Sequence, residues 1–181
     1  KRISALFQDF LKYELTLREN IGLGDLSKLY SDEALISALN YTGIDSIFYT
    51  KQGIDNHVDL EQQLGNWFED GRQLSGGQWQ KIALSRVYVK EADCYFLDEP
   101  SSALDPESET KIFKTFFELS RNKIGIFITH KPSMTQFVDK ILYLENGNIV
   151  ETGSFNDLNS NGMKFKNLLD KEVGIFYDTS N

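Results

Sequence analysis

Two short apolar stretches, Cys94-Tyr95-Phe96-Leu97 and residues 124–129, flank a segment that opens like a helix. Asp105 supplies a cap, Pro106 takes the first helical position and Glu107 puts an acid in the first turn, so a helix is expected from there to about Arg121. Strand, helix, strand, with strands that are apolar throughout and do not alternate, implies a parallel sheet buried under helices. At 181 residues the chain suffices for one ordinary globular domain or slightly more.

Other segments extend this pattern. Ser31, followed by Asp32, Glu33 and the apolar set Leu35, Ile36 and Leu39, reads as a capped amphipathic helix closed by Gly43. Ser75-Gly76-Gly77 opens a longer one, with Trp79, Ile82, Ala83 and Val87 at helical spacing as far as about Lys90. Residues 44–73 are polar and read as irregular and partly helical. Residues 132–138 read as a short helix, and Asn146-Gly147 between two apolar runs reads as a hairpin turn, since both residues tolerate positive φ. Residues 154–169 read as helical, followed by a polar tail. Near the start, Ile3, Ala5 and Phe7 set an apolar pattern.

Nineteen basic and 27 acidic side chains leave a net charge of −8, and with no basic cluster this argues against a nucleic-acid surface. The longest apolar stretch, residues 124–128, falls far short of the roughly 20 residues of a membrane-spanning helix. Gln8, Asp9 and Lys12 interrupt any secretory leader. Cys94, the single cysteine, cannot form an intramolecular disulfide and is expected as a buried thiol in a reducing, cytoplasmic setting.

Asp98-Glu99 puts two carboxylates at the C-terminal end of an apolar strand, where open parallel sheets bind ligands. In a phosphoryl-transfer reading Asp98 holds Mg²⁺, directly or through water, and Glu99 polarises the attacking water. A strand ending simply in solvated acids is the competing reading. Leu74-Ser75-Gly76-Gly77-Gln78 opens a helix whose N-terminal N–H groups suit an anion, and its glycines permit close approach of a phosphate. A glycine-rich cap without a ligand is the alternative there. His57 reads as a surface residue.

Taken in order, Leu74 to Gln78, the apolar strand ending Asp98-Glu99-Pro100, Ser102-Ala103-Leu104-Asp105 and Ile128-Thr129-His130 resemble the nucleotide-binding domain of an ABC transporter. They are similar to its signature motif, its Walker B strand with the catalytic glutamate, its D-loop and its switch histidine. Ser4-Ala5-Leu6-Phe7-Gln8-Asp9 is similar to its Q-loop, and the resemblance runs from residue 4 to about 170. It implies an α/β fold: a P-loop NTPase (RecA-like) core of mainly parallel strands plus an α-helical signature subdomain. Its parts would be residues 1–24 (Q-loop region), 25–90 (helical subdomain), 91–170 (core) and 171–181 (tail).

The resemblance further implies ATP and Mg²⁺ as cofactors, with Glu99, His130 and Gln8 catalytic and Asp98 and Gln8 on the metal. Two such domains would pair head to tail. Ser75, Gly76, Gly77 and Gln78 would then face the γ-phosphate of ATP held mainly by the opposite subunit, His130 would hydrogen-bond a γ-phosphate, and Asp105 would add an inter-subunit contact to its role as cap. A transmembrane domain, and no nucleic acid, would be the other partner, at the cytoplasmic face of the membrane.

One motif of the family is missing. No glycine is followed by lysine, so the phosphate-binding loop G-x-x-x-x-G-K-[ST] is absent, and Gly22-Leu23-Gly24 is a lone G-x-G in a polar loop. The resemblance therefore implies an N-terminally truncated domain, the back portion of a longer polypeptide, which would not hydrolyse ATP alone. Thr16-Leu17-Arg18-Glu19-Asn20-Ile21 and, loosely, Glu69-Asp70-Gly71 resemble exporter segments. Gln78-Trp79-Gln80-Lys81, with tryptophan where arginine is more usual, resembles exporters of bacteriocin or lantibiotic-type peptides. A DNA-repair or chromosome-condensing ATPase would bring heptad arrays and basic surfaces, and neither is visible. A non-catalytic ABC-like regulatory module would be expected to lack Glu99 or His130, and both are present.

Overall fold

The computed structural model describes residues 2–52, 55–101 and 103–178. Ser102 of the D-loop-like segment and residues 179–181 of the tail lie outside them. The chain divides into two compact units, residues 1–128 and 129–181.

The first unit is built on a parallel sheet of β1 (Ile3–Leu6), β4 (Cys94–Asp98) and β5 (Ile124–Ile128), in the order β1-β4-β5. Ser4 is in register with Tyr95, and Leu6 with Leu97, which is in register with Phe127. Neighbours in register share a face, so Ser4 and Leu6 point inward with Tyr95 and Leu97. The apolar set Ile3, Ala5 and Phe7, noticed in the sequence, therefore lies on the opposite, exposed side.

Helices α1 (Leu17–Gly22), α2 (Asp32–Thr42) and α3 (Gly76–Tyr88) supply much of the core, where Leu17, Ile21, Leu35, Leu39, Ile82 and Leu84 are fully buried. Each such side chain contributes about 1.5–3 kcal/mol. Trp79 is buried in α3, and Gly43 closes α2 in the left-handed conformation, φ 67°, as its position suggested. Helix α4 (Pro106–Ser120) lies against β5, with the rings of Phe113 and Phe116 edge-on to Phe127 at 5.2 and 5.8 Å.

Four expectations are corrected here. β5 is not buried, because α4 covers its Phe127 side only; Ile124, Ile126 and Ile128 are 60%, 46% and 44% exposed. Cys94, on the same side of β4, is half-buried. Residues 44–73 contain an antiparallel hairpin, β2 (Tyr49–Gln52) with β3 (Asp55–Val58), after a short 3-10 turn. The polar run Thr50-Lys51-Gln52 carries no period that would betray it. Finally, Gly22 is the buried last residue of α1 and no part of a polar loop. A Cβ on Gly24 would stand 2.0 Å from the Arg86 carbonyl oxygen, so close packing accounts for that glycine.

In the second unit a 3-10 turn (Pro132–Phe137) stands where a short helix was expected. The hairpin of β6 (Ile141–Glu145) and β7 (Asn148–Gly153) turns at Asn146 and Gly147, with φ 50° and 76°. Helices α5 (Phe155–Asn161) and α6 (Lys164–Asp178) pack on it around Ile141, Leu158, Phe165 and Leu169. The Glu151 carboxylate accepts the N–H groups of Met163, Lys164 and Phe165, which cap α6 and hold that carboxyl below its usual range. Helix α6 thus continues through most of the segment expected to be a polar tail. No helix among the described residues is long and apolar enough to cross a membrane.

Candidate functional site

β4 ends at Asp98 and the chain leaves the sheet at Glu99. The Glu99 N–H still donates to the Ile128 carbonyl at 3.0 Å, after which the backbone turns through φ 48°. A non-glycine residue held there costs about 1–3 kcal/mol, which surrounding contacts must offset. Both carboxylates are half-buried. Gln8, just past β1, donates from Nε2 to Glu99 Oε2 at 3.3 Å. Because β1 and β4 are adjacent and parallel, residues just beyond each emerge at the same end of the sheet.

Gln8, Asp98 and Glu99 offer hard oxygen atoms in a set too small to enclose an ion. Among the described residues no group of three or more His, Cys, Asp or Glu side chains could hold a metal. Such a donor set fits Mg²⁺, which takes one or two carboxylates and completes its shell with water and substrate phosphates.

Ser75 is the N-cap of α3. Its Oγ accepts the Gln78 N–H at 3.3 Å while Gln78 Oε1 accepts the Ser75 N–H at 2.9 Å, a reciprocal capping box. The two glycines that follow differ in use. Nothing lies within 4 Å of where a Gly76 Cβ would stand, whereas a Cβ on Gly77 would be 2.7 Å from the Ala103 carbonyl oxygen. Gly76 keeps the helix end open; Gly77 lets α3 abut the turn that follows Glu99.

Asp105 caps α4, accepting the Ser108 N–H at 2.9 Å and the Ser108 hydroxyl at 2.6 Å. These bonds, the hydroxyl's above all, hold its carboxyl below the usual carboxylate range. His130 belongs to the second unit, as an exposed residue after Thr129, whose hydroxyl accepts the Lys131 N–H at 3.0 Å. His57 is exposed on β3.

Two polar residues of α3 join the picture without having been singled out in the sequence. Gln80, 2% exposed, donates from Nε2 to the Glu99 carbonyl at 3.3 Å and accepts the Ala103 N–H on Oε1 at 3.2 Å. Arg86 donates to the Leu11 carbonyl at 2.7 Å and to the carbonyl and side-chain oxygen of Asn20 at 3.0 and 2.9 Å, with its guanidinium 4.7 Å above the Tyr13 ring. Burial lowers its pKa to about 10. Gln80 had a legible signal: it stands three and four residues before Ala83 and Leu84, on the stripe that α3 buries.

The Gln8 segment, the signature-like helix start and the acid-ended strand all fall in residues 1–102, and these residues match the family described as ABC transporter. The chain belongs to the ABC transporter family. Within that family it is 51% identical over 154 residues to the nisin transport ATP-binding protein NisT of Lactococcus lactis subsp. lactis. It is 49% identical over 157 residues to the subtilin transport ATP-binding protein SpaT of Bacillus subtilis. The matches take in 85% and 87% of this chain and 25% of each relative, so the chain spans a quarter of their length. A solved bacterial Atm1-family ABC exporter with ATP bound aligns with 94% of this ABC chain and 28% of its own, at TM-score 0.78 and 27% identity. The fold is accordingly the α/β fold of the P-loop NTPases, parallel strands with helices.

Proposed function

We propose that this chain is the part of an exporter's ATP-hydrolysing domain that carries the catalytic carboxylate and the signature helix. The observation that supports it best is the hydrogen bond from Gln8 to Glu99 at one end of the parallel sheet, where β4 closes on Asp98. In this reading Glu99 accepts the proton of the attacking water as general base, and the Gln8 amide orients its carboxylate. Mg²⁺, when bound by Asp98 and Gln8, would neutralise charge on the phosphates. The Ser75 hydroxyl and the N–H groups of Gly76 and Gly77 donate to the γ-phosphate of ATP held on a second nucleotide-binding domain, an anion suited to a helix N-terminus. His130 donates to a γ-phosphate from its ring, and Asp105 adds a contact across the domain pair.

No G-x-x-x-x-G-K stretch occurs in the 181 residues, so the chain by itself does not hydrolyse ATP, and the phosphate-binding loop belongs to another part of a longer polypeptide. That polypeptide includes or docks on a transmembrane domain and works at the cytoplasmic face of the membrane. Its cargo is a lantibiotic-type peptide; the relatedness to proteins named for nisin and subtilin transport supports this choice.

The test is Glu99→Gln in the full-length polypeptide. ATP binding should persist while phosphate release falls by about 100-fold or more, the share expected of a general base. Phosphate release at the wild-type rate would remove Glu99 from that role.

A further inference from the structure

Gln80 joins two ends of one turn. Its carboxamide leaves α3, donates to the carbonyl of Glu99 and accepts the N–H of Ala103, and it does so from a site closed to solvent. The turn it spans begins at a residue whose positive φ is sustained only where the surroundings over-determine it. Around Glu99 those constraints include the Ile128 carbonyl on its N–H, Gln8 on its carboxylate and Gln80 on its carbonyl. Three residues before Gln80, hence on the same face of the helix, Gly77 brings the backbone of α3 against Ala103 with no side chain between them. Helix and turn therefore touch directly, and one amide ties the contact at both sides.

We propose that Gln80 is a positioning residue for Glu99: it sets the turn that carries the carboxylate from α3, the helix whose N-terminal end is to meet a second domain's nucleotide. The proposal rests on the hydrolytic reading of Glu99 given above. A displacement of the Ser75 end of α3 then moves the catalytic carboxylate in the same subunit, so each site answers to engagement at the other. A carboxamide is the chemistry this needs, one donor and one acceptor on a single planar end. Glutamate at position 80 would set an acceptor against the Glu99 carbonyl, and methionine would fill the space while withdrawing the bonds to Glu99 and Ala103.

The experiment compares Gln80→Met and Gln80→Glu with wild type in the full-length polypeptide. It reads kcat and KM for ATP per folded molecule, and amide hydrogen exchange in a peptide covering residues 99–104. Gln80→Met, apolar and of similar length, keeps the buried site filled and is the variant expected to fold if Gln80→Glu does not. For each variant that folds, kcat should drop on the order of 100-fold through misplacement of the carboxylate, with KM for ATP moving less than about twofold. Exchange in 99–104 should quicken on the order of tenfold as a buried bond is lost. A purely structural role would lower the melting temperature and leave kcat per folded molecule within about threefold of wild type, and that result overturns the proposal. Unchanged exchange in 99–104 overturns it as well. Should wild type itself fail to hydrolyse ATP, the reading of Glu99 fails, and the exchange comparison still decides whether Gln80 clamps the turn.

Discussion

The two faces of the β1-β4-β5 sheet are made by the same three strands and meet opposite fates. On one, Ser4, Leu6, Tyr95 and Leu97 are buried, with the Ser4 hydroxyl on the Val87 carbonyl of α3 at 3.0 Å and Phe127 among the rings of α4. On the other, Ile3, Phe7, Ile124, Ile126 and Ile128 are exposed, and Phe7 leans on Phe96 at 5.9 Å. The exposed face is no less apolar than the buried one. Burial in this unit follows from which face a helix covers, and apolar composition gives no guide to it.

Leu97→Ala should open the widest gap between the faces. Leu97 is fully buried at the centre of the sheet, and its truncation should cost about 2–5 kcal/mol in urea unfolding. A cost below 1 kcal/mol by the same measure would show that the covered face is loosely packed in solution. Ser4→Ala should come next, at about 1 kcal/mol, because it withdraws the buried bond to Val87 while removing little volume. Ile126→Thr, on the exposed face, keeps a β-branched residue and should change stability by no more than about 0.5 kcal/mol. If Ile126→Thr proved as costly as Leu97→Ala, both faces would be covered in solution and the contrast would fall.

Much of the fold was legible residue by residue. The caps at Ser75 and Asp105, the left-handed Gly43 and the Asn146-Gly147 turn all act over four or five residues, within reach of sequence reasoning. The β2–β3 hairpin was not legible, because its strands present polar residues without a period and its pairing is decided by position against Phe48, Val58 and the core beyond. The candidate site divides the same way. Asp98 and Glu99 stand at the end of an apolar run and declare themselves, and Gln8 joined them through resemblance and order along the chain. Gln80 was legible only as a polar residue on the buried stripe of α3; its partners, the Glu99 carbonyl and the Ala103 N–H, come from a distant part of the chain and were not.

The sequence by itself determined the elements that local chemistry can specify: helix starts and stops, apolar strands, a tight turn, and the ordered motifs that carry family membership. Tertiary structure alone decided which face of the sheet is covered, that Gln8 reaches Glu99, and that the Gln80 amide bridges Glu99 and Ala103. The physical reason is range. A cap or a turn is satisfied by neighbours in the chain, whereas burial and the pairing of buried polar groups are settled between residues many positions apart, brought together only when the core condenses.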